Sequence, residues 1–322
     1  MSEADKEIIM KARPNLKPNT IKMYIFNLNK LKKLFQAEDL KFLSKVTEVK
    51  EQIKDLHYTT QRNFYNAIIV YLRAKDSGSP DEEKGKIPSE LIEKYDTMRN
   101  ELNEQYKTDN ESGKISEKQK NNFVDIREVK DMINKMEAEI KKEGLKKKEN
   151  LTAKEKQLIQ VFTIYSILLK IPLRNDLAGM EAISRKKYKT LTDKDKEVNN
   201  YLVVDKAKME FVLNEYKTAR KYKQKNILIP KELEKIIRMY LRKNGMGILF
   251  KTGTGTPLTR NALSQLLIKT SQAYMNKNIS TTMIRKIVLS DMFADTKKEM
   301  EKMSEITGHS VETMNNVYVK EK

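Results

Sequence analysis

Apolar residues in the first hundred positions recur at helical spacing. Ile21, Tyr24, Leu28, Leu31 and Phe35 fall on one face, and Asn19 or Thr20 ahead of them can cap the helix. Val46, Val49, Ile53 and Leu56 mark a second helix over 46–56. Phe64, Ala67, Ile68 and Tyr71 mark a third, starting at Thr59 or Thr60. The turn-rich segment DSGSPDEEKGKIPSE (76–90) predicts a loop. A further helix, with Pro88 in its first turn, runs to Tyr106. TDNESGKIS (108–116) is polar, carries Gly113 and reads as a linker.

The pattern continues as helix and then changes period. Ile126, Val129, Ile133, Met136 and Ile140 form a helical stripe that ends in the basic run KKEGLKKKEN. Thr152 with Glu155 is a capping box, and it opens an apolar helix through Val161, Ile164, Leu168 and Leu169. Pro172 stops it. YLVV (201–204), MEFVL (209–213) and KNILIP (225–230) predict three strands of a small antiparallel sheet, with the basic turn EYKTARKYKQ between the last two. Helices follow over 232–242, stopping at Gly245, then over 259–275, 281–293 and 297–307. The expected fold is mainly α with a small antiparallel β-sheet. Its parts are a helical region over 1–108, a linker over 109–120, and an α+β domain over 121–322.

Composition narrows the function. A chain of 322 residues suggests about two domains. The 64 Lys and Arg against 45 Asp and Glu leave a formal net charge of +19, which favours a polyanionic partner such as nucleic acid or an anionic membrane surface. Cysteine is absent, which excludes a disulfide framework, a thiolate nucleophile and Cys-ligated zinc. The two histidines, His57 and His309, are too far apart in sequence for an HExxH helix, so no metal site is expected. No apolar run approaches the roughly 18 residues of a membrane span, and the polar start MSEADKEIIMKARP is no secretory signal. The expectation is an intracellular protein with no membrane association.

The candidate chemistry gathers in the second half. ITGHSVETMNNVYVKEK holds a Gly-His-Ser box, and Tyr318 follows His309 by nine residues. Arg174 stands directly after the apolar helix, in PLRNDL, with Asp176 two places on. Lys217 lies in the turn after the second predicted strand, where Arg220 and Lys221 crowd beside it. Arg285 lies within ISTTMIRKIVLSDMF, three residues after Thr282. In this order the residues resemble the motif set of the tyrosine recombinases, the family of phage-type integrases. KPNTIKMYIFNLNKLKKLF and YTTQRNFYNAIIVYL resemble the helical core-binding domain that precedes the family's catalytic domain. Two positions depart from the pattern. The family's acidic residue usually sits one place later than Asp176, and its His-x-x-Arg box has Thr282 where the His would be.

The resemblance implies a DNA-binding domain over 1–108 and a catalytic domain over 121–322. It implies a site-specific recombinase or integrase that cuts and rejoins DNA through a 3′-phosphotyrosine, without metal, ATP or other cofactor. Tyr318 would be the nucleophile. Arg174, Arg285 and His309 would hold the phosphate, and Lys217 would protonate the leaving 5′ oxygen. Asp176 and Thr282 would support them. Arg62 and Asn63, beside Tyr58 and Gln61, are candidates to contact DNA, as are Arg220 and Lys221. The implied partner is double-stranded DNA, with a homo-tetramer on paired sites and a monomer or weak oligomer when free. A catalytically degenerate DNA-binding member and a type IB topoisomerase-like relaxing enzyme are the alternatives. The Lys/Asn/Ile-rich composition suggests an AT-rich genome, with a mobile element or virus as a natural home. The location would be DNA-associated, in a bacterial cytoplasm or a host cell.

Overall fold

The computed structural model describes residues 3–77, 88–111, 113 and 115–315. The chain forms two compact units, Met1–Lys114 and Ile115–Lys322.

The first unit holds α1 (Glu3–Ala12), α2 (Pro18–Leu34), a 3-10 turn (Lys41–Ser44), α3 (Val46–Ile53), α4 (Tyr58–Ser77) and α5 (Ser89–Glu111). Helix α4 is its axis, with α1, α2 and α5 packed around it. Phe64, Ala67 and Ile68 of α4 are fully buried against Leu28 and Leu31 of α2. Tyr95 of α5 is also buried, and its hydroxyl donates to the Leu43 carbonyl at 2.8 Å. This satisfies a polar group that would otherwise be costly to bury. Helix α2 begins at Pro18 and not at an Asn19 or Thr20 cap, because proline already has helical φ and lacks the N–H that a first turn leaves unpaired. Helix α1 is not among the predicted elements, and fully buried Ile9 anchors it in the core. Helix α5 runs past Tyr106 to Glu111, into the segment read as a linker. Of the predicted loop over 76–90, residues 78–87 lie outside the described ones.

The second unit begins with α6 (Glu117–Lys120), α7 (Ile126–Lys142) and α8 (Ala153–Lys170). The Thr152–Glu155 capping box forms as expected, and Asp125 with Glu128 forms another ahead of α7. Residues 159–168 of α8 are buried all round, so α8 is the central helix, contacted by α7, α12, α13 and α14. Its polar members are satisfied: Thr163 and Ser166 donate to carbonyls one turn back, and Tyr165 donates to the Leu267 carbonyl at 2.7 Å.

After a 3-10 turn (Asn175–Leu177) come β1 (Glu181–Ser184), α9 (Arg185–Thr190), α10 (Asp193–Val198), β2 (Tyr201–Val204), β3 (Met209–Leu213), α11 (Ala219–Tyr222) and β4 (Lys225–Leu228). Then follow α12 (Lys231–Asn244), β5 (Gly247–Ile248), α13 (Arg260–Met275), α14 (Thr281–Thr307) and α15 (Val311–Thr313). The sheet order is β4-β3-β2-β1-β5. The three predicted strands pair antiparallel, β2 with β3 and β3 with β4. Strand β1 adds a parallel pairing to β2, with Glu181 opposite Tyr201, and β5 closes the other edge antiparallel. The sheet is therefore mixed. Strand β5 has only two residues, and EAIS of β1 lacks the apolar run that marks β2 and β3.

One prediction fails in an informative way. The two helices expected over 281–293 and 297–307 are a single helix, α14. Nothing between them breaks it, since ADTK holds neither Gly nor Pro.

Candidate active site

Arg174 comes out of α8 in extended conformation and opens the 3-10 turn, with its side chain exposed. Its own backbone N–H supplies a hydrogen bond to the buried Asp176 carboxylate. Arg285 comes from a different part of the chain, one turn into α14. The start of α14 is fixed on the Arg174 turn, because buried Thr281 donates its hydroxyl to the Asn175 side-chain oxygen. Ser280 caps the helix from the Met283 N–H. Two arginines 111 positions apart are thereby brought within electrostatic reach of each other.

Charge balance at this point is tight. Burial lowers the Arg285 pKa, Arg174 lowers it further, and Asp176 works in the opposite direction. Burial also raises the Asp176 pKa, against the lowering pull of Arg260, the Arg174 backbone N–H and the Arg174 charge. Arg260, at the start of α13, makes an ion pair with Glu215. Three guanidinium groups therefore share two carboxylates, and the surplus is positive. Such a surplus favours an anion, and a guanidinium fork matches phosphate geometry.

Lys217 sits in the loop between β3 and β4, exposed. The base of that loop is clamped to the arginine turn by Asn200. This buried side chain donates to the Asp176 carbonyl at 3.1 Å and to the Glu215 carbonyl at 2.9 Å. Its oxygen accepts the N–H groups of Asn214 and Glu215, each at 2.9 Å. Beyond Lys217 the loop is closed by the Tyr216 hydroxyl, which donates to the Lys223 carbonyl at 2.6 Å. Lys223 has φ of 56°, a region that non-glycine residues occupy at a cost of about 1–3 kcal/mol. Arg220 and Lys221 are exposed on the same loop, with the Lys221 ammonium 5.1 Å from the Tyr222 ring centre.

Asn200, Glu215 and Arg260 were not singled out in the sequence. Asn200 reads there as the polar residue before a strand, and only the buried clamp reveals its role. Arg260 is signalled faintly by its place after the Thr259 cap.

The remaining candidates lie elsewhere. Thr282 is exposed on α14, one turn before Arg285. His309 follows Gly308, which ends α14 in the left-handed region at φ 70°, and Ser310 then caps α15. Arg285 and Thr307 are about six turns apart on one unbroken helix, roughly 33 Å along its axis. Within one chain, therefore, Arg174, Asp176, Arg285 and the anchored Lys217 loop come together, and His309 does not join them. Tyr318 lies outside the described residues. In the first unit, the Arg62 guanidinium lies 4.1 Å from the centre of the Tyr106 ring, and Asn63 is exposed. Tyr58 donates to Asp109 at 2.6 Å, and Gln61 donates to the Lys54 and Leu56 carbonyls, so both have internal structural roles. Among the described residues no three His, Asp or Glu side chains cluster as a metal site would need. No described helix is long and apolar enough to cross a membrane.

No family model and no curated protein matches the sequence. Solved structures do match the fold. A XerH site-specific recombinase bound to its difH substrate in a pre-cleavage complex aligns with a TM-score of 0.50 at 14% identity, over 99% of this chain and 85% of the other. XerH in a post-cleavage complex with a palindromic difH substrate gives 0.51 at 16% identity, over 96% and 78%. At such identities the likeness is one of fold: the chain shares the mainly helical fold, with a small sheet, of these XerH structures.

Proposed function

We propose that this chain is a tyrosine recombinase that cuts and rejoins DNA strands without metal or nucleotide. The observation that carries the reading is the convergence of Arg174 and Arg285 around buried Asp176, on a fold shared with DNA-bound recombinases. In this reading the two guanidinium forks donate to the non-bridging oxygens of a DNA phosphate. The Tyr318 hydroxyl passes its proton to water and its oxygen attacks phosphorus. The bond from phosphorus to the 5′ oxygen breaks, and Lys217 protonates that oxygen. The products are a 3′-phosphotyrosine and a 5′ hydroxyl. The ester keeps the bond energy, so the reverse attack by a 5′ hydroxyl reseals the strand. Fixed positive charge aimed at the developing negative charge is the main source of acceleration. A Thr hydroxyl at position 282 can donate a hydrogen bond but cannot act as a base near pH 7. Strand exchange would take place in a homo-tetramer on paired duplex sites, with residues 1–108 and 121–322 both contacting DNA.

The test uses nicked duplexes from which a cut strand end diffuses away, so that a covalent intermediate is trapped. Wild type should show a protein band shifted by covalent DNA on a denaturing gel, and Tyr318→Phe should bind the same duplexes without that band. An adduct that survives in Tyr318→Phe would overturn the assignment of the nucleophile. Salt-sensitive binding with no adduct from wild type would instead indicate a non-cutting DNA-binding protein. Relaxation of supercoiled plasmid by monomer alone would indicate a topoisomerase.

A further inference from the structure

A second concentration of positive charge lies away from the arginines. It lines a half-open pocket of about 760 Å³ in the second unit. Small-ligand sites typically measure roughly 300–1,000 Å³. Helix α8 supplies one wall through Ala153, Lys156, Gln157 and Gln160. Helix α13 supplies another through Ala262, Gln265, Leu266 and Lys269. Each set repeats at i, i+3, i+4 and i+7, so each is a single helix face turned to the pocket. Lys243, at the end of α12, and Lys251, after β5, add two more ammonium groups. The Lys251 backbone is fixed to α8. Its carbonyl accepts from the Gln160 side-chain amide and its N–H donates to the Gln160 oxygen, each at 3.0 Å. Lys243 donates to the Lys148 carbonyl at 2.6 Å, which leaves its ammonium two further N–H groups. Gln160 stands about 15 Å along α8 from Lys170, beyond which Arg174 emerges, so the pocket is outside the arginine site.

Four lysines from four parts of the chain thus line one pocket, and no Asp or Glu lines it. In a chain with 45 Asp and Glu against 64 Lys and Arg, that is not the mixed pattern of a solvated face. Glu155, next to Lys156 in sequence, is engaged by Lys148 at 2.5 Å and by the Thr152 N–H. Among the described residues none of the four lysines is in an ion pair. We propose that this pocket binds a free oligophosphate, a chain of two or three phosphoryl groups with or without a nucleoside. Such a chain carries about three to four negative charges near pH 7, which matches the four ammonium groups. It is compact enough to meet lysines on both walls, and lysine binds phosphate as a point charge without a fixed fork. Leu258 and Leu266 give the pocket an apolar side on which a nucleoside can lie. A duplex backbone is the other polyanion to weigh, but it is convex, whereas these lysines line a concavity. The site is separate from strand cleavage and does not rest on that reading.

The test is titration calorimetry of the full chain with sodium tripolyphosphate, without DNA or divalent metal. Binding is expected in wild type. Lys156→Gln combined with Lys269→Gln should weaken it about tenfold or more. Both are exposed helix positions at which Gln is a comparable helix former, so the fold is kept. Lys186→Gln combined with Lys189→Gln, on α9, removes the same charge elsewhere and should leave binding unchanged. Arg174→Ala should also leave it unchanged. Equal weakening by the two lysine pairs would overturn the proposal in favour of unspecific charge. Loss of binding in Arg174→Ala would place the ligand on the arginine cluster and overturn it as well, as would no binding by wild type. Duplex affinity should be the same in the two lysine pairs. Duplex that displaces tripolyphosphate from wild type, with the pocket pair alone losing duplex affinity, would make the pocket a DNA-backbone surface and overturn the proposal. A titration with ATP separates the two sources of the phosphate chain. Tighter binding than tripolyphosphate supports the site with a nucleoside against its apolar side, and equal or weaker binding supports it for the bare chain. None of these readouts needs strand cleavage, so an inactive recombinase would leave them standing.

Discussion

Arg285 and Asp176 define the site at the scale of single residues, because each is perturbed by the other's neighbourhood. Removing either fork should cost about 2.7–4 kcal/mol of transition-state stabilisation, a hundredfold to a thousandfold in cleavage rate. Arg285→Lys, which keeps the charge and loses the bidentate geometry, should be impaired nearly as much as Arg285→Ala, measured as the rate of adduct formation. Asp176 has a pH signature. Its folded pKa is raised, chiefly by burial, above an unfolded value of about 3.9. Between those two values the folded state holds more protons than the unfolded one, so this group's contribution to stability falls as pH rises through the window. Asp176→Asn should remove that fall. Urea unfolding of wild type and variant from about pH 4 upward should show wild type losing stability relative to Asp176→Asn until the folded pKa is passed. Parallel curves would mean that Asp176 is not strained by burial.

Two halves of one helix behave differently at the scale of elements. Ile287 is 2% exposed and packs in the second unit's core, so Ile287→Ala should cost about 2–5 kcal/mol. Phe293, less than two turns on, is 52% exposed. Phe293→Asp should change the stability of the isolated chain by no more than about 0.5 kcal/mol, since it removes no packing there. Denaturant midpoints of the two variants check the contrast. The capping boxes are the element-scale feature best read from sequence. Thr152 to Glu155 is recognisable because a side chain three residues away is enough to satisfy the orphan N–H groups, and Thr152→Ala should cost about 1 kcal/mol. Helix α1 and strands β1 and β5 were not legible, because their stability comes from docking against distant residues.

Charge is the property that belongs to the whole molecule. The net +19 predicts that duplex binding weakens steeply with salt, with log affinity falling by about 0.9 per neutralised phosphate for each unit of log salt concentration. Arg174→Ala should lower that slope by about one contact if Arg174 touches phosphate in the ground state. Titrations of one duplex at several salt concentrations measure it. A slope near zero would remove nucleic acid as the partner.

Sequence alone determined the features whose cause is local. Helical periodicity placed α2, α7, α8, α12 and α13, and short apolar runs placed β2, β3 and β4. Tertiary structure decided what depends on residues far apart in the chain. It set Arg285 beside Arg174 through the bond from Thr281 to Asn175, and it clamped the Lys217 loop through Asn200. It also joined two expected helices into one, because a 3.6-residue period shows that a segment is helical but not where an uninterrupted helix ends. That continuity separates His309 from the arginines of its own chain, a relation that linear order alone does not contain.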